Sequence, residues 1–345
     1  MAGQLHTADF QPPRGLSNPH VQTLLPRLLP RQRLAYDWEM LELPDGDFVE
    51  LVWARPAPRD AQAPILLLFH GLEGSIASPY ARWLLGTAAQ LGWRAVLMHF
   101  RGCGRRANRL PRAYHSGDTA DAYWLIGQLA HRYPHALKVA AGVSLGGNML
   151  LKLVAEQGGD GLDLAGAIVI SAPLDLAASA DALHRGFARL YERHLLHSLK
   201  ARVRRRIAAQ TLPLAIDARA LDGLDSLRAY DDAITGPLHG FADADDYYRR
   251  ASAGPLLGEI EVPTLILHAE DDPFMPSSLY DRLPPAGDAV RIELARHGGH
   301  VGFMEWREGR LRPWLARRLA QELEAWTTPA VPCQASTAQR IKSGS

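Results

Sequence analysis

The segment Gly142-Val143-Ser144-Leu145-Gly146, extended by Gly147, sets a serine among residues with little or no side chain. An apolar run precedes it and a helical pattern follows, which puts the serine on a strand-to-helix turn. Such a turn holds the serine backbone in strained dihedrals, so its neighbours must be nearly free of side chains to avoid clashes. The turn exposes the hydroxyl, and the amide of Leu145 at the helix N-terminus points toward a developing oxyanion. A serine hydroxyl is a poor nucleophile near neutral pH and needs a base held by a third group. Two later clusters supply both: Glu270-Asp271-Asp272-Pro273 and His297-Gly298-Gly299-His300. Each follows an apolar run, so both fall at C-terminal ends of predicted strands, where open α/β sheets build their sites.

Within these clusters the backbone discriminates. Asp272 precedes Pro273, whose ring pushes it toward extended backbone, while Asp271 is free to cap the turn. His300 follows two glycines that let a loop swing an imidazole over the serine, and His297 lacks that preparation. The expected catalytic residues are therefore Ser144, Asp272 and His300. The expected oxyanion donors are the amides of Leu145 and of Leu72, the latter on His70-Gly71-Leu72-Glu73-Gly74 after the third strand. This chemistry is attack on an ester carbonyl, with an acyl-enzyme resolved by water. An acyltransferase would use the same residues with an alcohol or amine as acceptor. A catalytically silent binding protein of the same fold is the reading from another class.

The elements that must position these residues are legible as short apolar runs at 64–70, 94–100, 137–143, 164–170, 263–269 and 289–295. Helical patterns separate the early runs, which predicts a parallel sheet with helices on both faces. A hairpin, WEMLEL and FVELVWA around Pro44-Asp45-Gly46, adds an antiparallel edge. The expected fold class is α/β, with a mostly parallel eight-stranded sheet. Residues 1–37 are proline-punctuated and predict an irregular leader with one short helix; residues 38–326 form the catalytic domain. From about 174 to 262 no convincing strand occurs, and Leu183, Phe187, Leu190, Tyr191, Leu195, Leu199, Val203 and Ile207 recur at helical spacing. A helical lid is expected there, and its apolar residues suggest short-to-medium acyl esters as substrates. Residues 327–345 predict a disordered tail.

Composition excludes several classes. With 345 residues, 47% apolar, the chain can bury a sizeable core. A net charge of +1 argues against non-specific nucleic-acid binding. Two cysteines, Cys103 and Cys333, make neither a disulfide framework nor a four-ligand zinc site. No secretory signal and no apolar run of ~18 residues is visible, so a cytoplasmic location is expected. No metal or cofactor motif occurs, so none is expected. The expected partner is a small-molecule ester; peripheral lipid contact and oligomeric state are left open.

Over roughly residues 15–326 the chain resembles the YheT-like family of α/β-hydrolases, related to eukaryotic α/β-hydrolase-domain lipases. The resemblance rests on Asn18-Pro19-His20-Val21-Gln22-Thr23, on the 70–74 and 142–148 segments, and on Arg101-Gly102-Cys103 with Asn108-Arg109-Leu110 and Tyr114-His115-Ser116-Gly117. Asp271-Asp272-Pro273-Phe274 and Gly298-Gly299-His300-Val301-Gly302-Phe303 complete it. It implies an α/β-hydrolase fold and a serine carboxylesterase or lipase-like activity, with nucleophile, acid and base on Ser144, Asp272 and His300. Arg105-Arg106 departs from the small or acidic residues usual in that family.

Other features receive plainer readings. His115 packs its loop, Asp118 and Asp121 cap the following helix, and Cys103 is an inert thiol. Lys200, Arg202, Arg204, Arg205 and Arg206 form a solvated helix face. Asp243, Asp245 and Asp246 lack the pattern of a calcium loop.

Overall fold

The computed structural model describes residues 4–209 and 211–328. Nine strands form one sheet: β1 (Gln4–Thr7), β2 (Ala35–Glu42), β3 (Phe48–Arg55), β4 (Ile65–Phe69), β5 (Arg94–His99), β6 (Lys138–Val143), β7 (Gly166–Ile170), β8 (Thr264–Ala269) and β9 (Val290–Ala295). Their spatial order is β1-β9-β8-β7-β6-β4-β5-β3-β2. β3 runs antiparallel to β2 and β5, and every other pairing is parallel. The expected count of eight is thereby corrected to nine. The added strand is β1, inside the leader, which pairs Gln4–Thr7 with Arg291–Leu294 of β9. Four residues at a sheet edge carry no readable period, and their partner lies at the other end of the chain.

The helices are α1 (Pro19–Leu28), α2 (Pro79–Gln90), α3 (Ala120–Arg132) and α4 (Leu145–Gln157), then α5 (Leu176–Leu183), α6 (Arg189–Ala208), α7 (Ala218–Gly223), α8 (Leu227–Tyr230), α9 (Gly236–His239) and α10 (Ala244–Ala251). After β8 come α11 (Leu279–Arg282) and α12 (Trp314–Thr327), the latter preceded by a hairpin of β10 (Met304–Arg307) and β11 (Arg310–Pro313). Strand alternation divides the core into two layers. Ile65, Leu67 and Phe69 face α3 and α4, whereas Leu66 and Leu68 face α2 and α12. Between β7 and β8 the described residues are helical or irregular, and they hold a separate apolar cluster of Leu196, Leu199, Val203, Leu221 and Ile234. The tail from residue 329 lies outside the described residues, as does Cys333.

The long loop after β5 owes its shape to a buried ion cluster. Arg101, 2% exposed, is paired with Asp45, Asp47 and Asp121 at 2.8, 3.3 and 2.7 Å. Asp47 also accepts from the amides of Phe48 and Arg109 and from Asn108 Nδ2. Asp121 therefore serves Arg101 and Asp118 pairs with Arg112; the expectation that they cap α3 is not met. A buried arginine demands paired carboxylates, and that demand outweighs a surface capping bond. Arg105 and Arg106 donate their amides to Glu50, beside β2 and β3 and away from the cavity described below.

Candidate active site

Ser144 sits between β6 and α4 at φ 52° and ψ −121°, a conformation that L-residues rarely adopt. The flanking glycines make room for it. A Cβ on Gly142 would meet Gly146 O at 2.4 Å, and one on Gly146 would meet His70 O at 2.5 Å. The Ser144 amide donates to Ile170 O of β7 at 2.8 Å, which pins the turn to the sheet.

The hydroxyl lies 3.0 Å from His300 Nε2, and His300 Nδ1 lies 2.9 Å from Asp272 Oδ2. Asp272 follows β8 and is 3% exposed. Burial alone raises its carboxyl, but His300, His268 and a bond from the Phe274 amide more than offset this and hold it below the usual range. It is therefore an ionised acceptor at neutral pH. Nδ1 of His300 must carry the proton, which leaves Nε2 to accept from the Ser144 hydroxyl.

The histidine is fixed from three sides. Gly299, at φ 57°, turns the loop, and its amide donates to Asp271 Oδ1 at 3.0 Å. The His300 amide donates to Thr23 Oγ1 at 2.9 Å, and Phe274 stacks on the imidazole with centroids 3.8 Å apart. Asp271 Oδ2 reaches His297 Nδ1 at 3.2 Å, so the second carboxylate and second histidine form their own pair beside the first.

The 70–74 loop packs against the serine: a Cβ on Gly71 would stand 3.1 Å from Ser144 Cβ. His70 shapes this loop. Its Nε2 accepts from the Phe100 amide at 3.1 Å, so Nδ1 donates to Gly71 O at 2.7 Å, and burial drops its pKa to about 3. Leu72 and Leu145 both line the space above Ser144.

That space is a cavity of about 750 Å³ roofed by the helical insertion. Leu183, Leu195, Leu199, Val203, Leu227 and Ile234 give it hydrocarbon walls. His115 lines it too, with its ring edge-on to His239 and Tyr247. Asp231 also lines it, accepting from Thr235 and Tyr248 hydroxyls in one turn of π-helix, and burial pushes its carboxyl up to about 6.

Several positioning residues escape a reading by type and spacing. Thr23 belongs to the leader motif quoted above, where Asn18 caps α1 and buried Gln22 bonds both the amide and the carbonyl of Met304. Glu73, at φ 55°, accepts from Arg202 Nη2 at 2.6 Å and from Ser198 Oγ at 2.5 Å, tying the 70–74 loop to α6. Arg202 is thus no part of a solvated face. It also donates to Cys103 Sγ at 3.1 Å, and burial raises that thiol. Asp243 caps α10 and Asp246 pairs with Arg249 and Arg250, which accounts for that acidic run.

A family model described as the alpha/beta hydrolase fold matches residues 64–305, from the first central strand to the segment after the histidine loop. The chain belongs to this family. Among curated proteins it is 46% identical over 322 residues to "Putative esterase YheT" of Escherichia coli (strain K12), covering 91% of this chain and 94% of that protein. It is 28% identical over 312 residues to "Phospholipase ABHD3" of Homo sapiens, covering 88% and 76%. Among solved structures, the Pyrococcus furiosus esterase Pf2001 shares the fold with a TM-score of 0.54 at 14% identity, covering 92% of this hydrolase-fold chain and 100% of the other. Among the described residues, no helix is long and apolar enough to cross a membrane.

Proposed function

We propose that this hydrolase of the esterase and lipase type cleaves carboxylic esters through an acyl-enzyme on Ser144. The observation that carries the reading is the hydrogen-bonded line from Ser144 through His300 to Asp272 at the floor of an apolar cavity. Ser144 Oγ attacks the ester carbonyl as His300 Nε2 takes its proton. Asp272 orients the imidazole and stabilises the imidazolium that forms. The amides of Leu72 and Leu145 hold the tetrahedral oxyanion; one donor of this type contributes ~2.7–4 kcal/mol to the transition state. His300 then protonates the leaving alcohol, and water, activated by the same histidine, releases the acid.

The hydrocarbon walls favour an ester with a short-to-medium acyl chain, whose apolar part fills the space under α6. A fluorophosphonate probe tests the chemistry: the wild type becomes covalently labelled and Ser144→Ala does not. An unlabelled wild type overturns the mechanism. A panel of p-nitrophenyl esters tests the chain length, with acetate and butyrate expected as substrates. Activity confined to long-chain esters overturns that part alone.

A further inference from the structure

The mouth of the cavity is bordered by apolar side chains that are exposed among the described residues. On α1, Val21, Leu24 and Leu28 recur at i, i+3 and i+7, so they lie along one face. They are 38%, 38% and 80% exposed, while Gln22 and Pro26 occupy the buried face. Across from them, Phe187 just before α6 and Leu190 in its first turn are 48% and 50% exposed. The two segments touch: the His20 ring is 4.4 Å from Phe187, and Arg27 Nη1 is 3.3 Å from His194 Nε2. Leu24, Phe187 and Leu190 line the cavity as well, so the exposed patch is continuous with the walls above Ser144.

The exposed charges on these two segments are basic. No acidic residue occurs between Asp9 and Asp37, a stretch that carries Arg14, Arg27, Arg31 and Arg33. Arg189 and Arg193 stand one turn apart on the exposed side of α6. Among the described residues, no ion pair engages Arg27, Arg31, Arg189 or Arg193, and the acid nearest in sequence on α6, Glu192, is buried against His184 and the Leu227 amide. Exposed apolar tips beside guanidinium groups that no described carboxylate pairs with match the interface of an anionic bilayer, where hydrocarbon lies just beneath the phosphates. A protein partner seated here would close the mouth, whereas a bilayer would feed it.

We infer that the α1 face and the first turns of α6 dock the enzyme on the surface of a bilayer containing anionic phospholipid, with the cavity opening toward the acyl region. The ester then passes from lipid to Ser144 without crossing bulk water. This delivery rests on the esterase reading; the docking itself does not.

The test is flotation of full-length Ser144→Ala protein with phosphatidylcholine vesicles, with or without about 30 mol% phosphatidylglycerol. Binding is expected on the anionic vesicles and should weaken steeply with salt. Arg189→Glu with Arg193→Glu should weaken it at least ~25-fold, about five-fold for each cation lost. Leu28→Asp should weaken it about ten-fold by putting a charge into the contact. None of these three residues lines the cavity, so the same changes in the wild-type background should leave hydrolysis of soluble p-nitrophenyl butyrate unchanged, which also reports that the variants fold.

Absence of binding to anionic vesicles, or binding that ignores these variants, overturns the docking. So does a dimer that Leu28→Asp dissociates with no vesicle binding, which would give the face to a second copy. Vesicle binding by Ser144→Ala, together with a wild type that the fluorophosphonate fails to label, would instead overturn the esterase mechanism and leave the docking standing.

Discussion

Two carboxylate–imidazole pairs stand side by side at the C-terminal ends of β8 and β9, built from adjacent aspartates and from histidines three residues apart. Asp272 with His300 points inward: the carboxylate is buried, Phe274 stacks on the imidazole, and the free nitrogen meets Ser144. Asp271 with His297 points outward, with the His297 side chain 38% exposed and Asp271 spending its other oxygen on the Gly299 amide. The residue types are the same and the separations similar, at 2.9 and 3.2 Å. The environments differ in sign. Burial raises both carboxyls, but the bonds to Asp272 overcome it and those to Asp271 do not, so Asp272 lies below its ordinary value and Asp271 above. Identity and distance therefore do not fix the surroundings of such a pair. Burial and a third partner separate these two.

The largest expected effect comes from Asp272→Asn, which keeps the shape but favours the wrong tautomer of His300. Its kcat on p-nitrophenyl butyrate should fall about 10⁴-fold. A loss below ten-fold, or a larger loss from Asp271→Asn, would exchange the roles of the two pairs.

Gly299→Ala strikes both pairs at once. Its Cβ would stand 2.3 Å from Pro19 O, at a φ of 57°. Urea unfolding should show a loss of about 1–3 kcal/mol together with reduced activity. A fully stable, fully active variant would mean that the loop is not held as described.

The acid limb of stability distinguishes the pairs by sign. Asp272, depressed in the folded state, adds stability that is present above pH ~3.9 and lost as pH falls through its lower folded value. Asp271, raised in the folded state, removes stability as pH climbs above ~3.9 toward its folded value. Stability measured from pH 3 to 7 should lose part of its rise in Asp272→Asn and become steeper in Asp271→Asn. Matching curves would erase the distinction.

The smallest effect belongs to His297→Gln. A half-exposed pair contributes ~0–1 kcal/mol, so unfolding should barely move and kcat should stay within about two-fold. A hundred-fold drop in kcat would give the outer pair a part in the chemistry.

β4 to β9 are legible because each is an apolar run bounded by turn residues, and β2 and β3 because they flank the hairpin turn at Pro44-Asp45-Gly46. β1 is not, because an edge strand of four residues is stabilised by its partner. Ser144, Asp272 and His300 are legible because glycine and proline mark the turns that carry them. Thr23, Phe274, Glu73 and Arg202 are not, since hydrogen bonding and stacking between distant segments leave no periodic trace. The Arg101 cluster illustrates the limit: a run quoted for a family resemblance is held by the need to neutralise one buried cation.

The sequence by itself determined the order of chemistry along the chain, since local turn geometry depends on nearest neighbours. It also determined the parallel sheet, since apolar runs of strand length between helices pack in few ways. Only the tertiary structure decided that Asp271 and His297 form a second pair and that Thr23 and Phe274 hold the first, because distant partners are properties of the surroundings. It alone decided that apolar residues at helical spacing on α6 divide their work: Leu199 and Val203 wall the cavity, while Leu190 stands in the open at its mouth. Periodicity assigns a residue to a face, and what that face meets depends on segments far away in the chain.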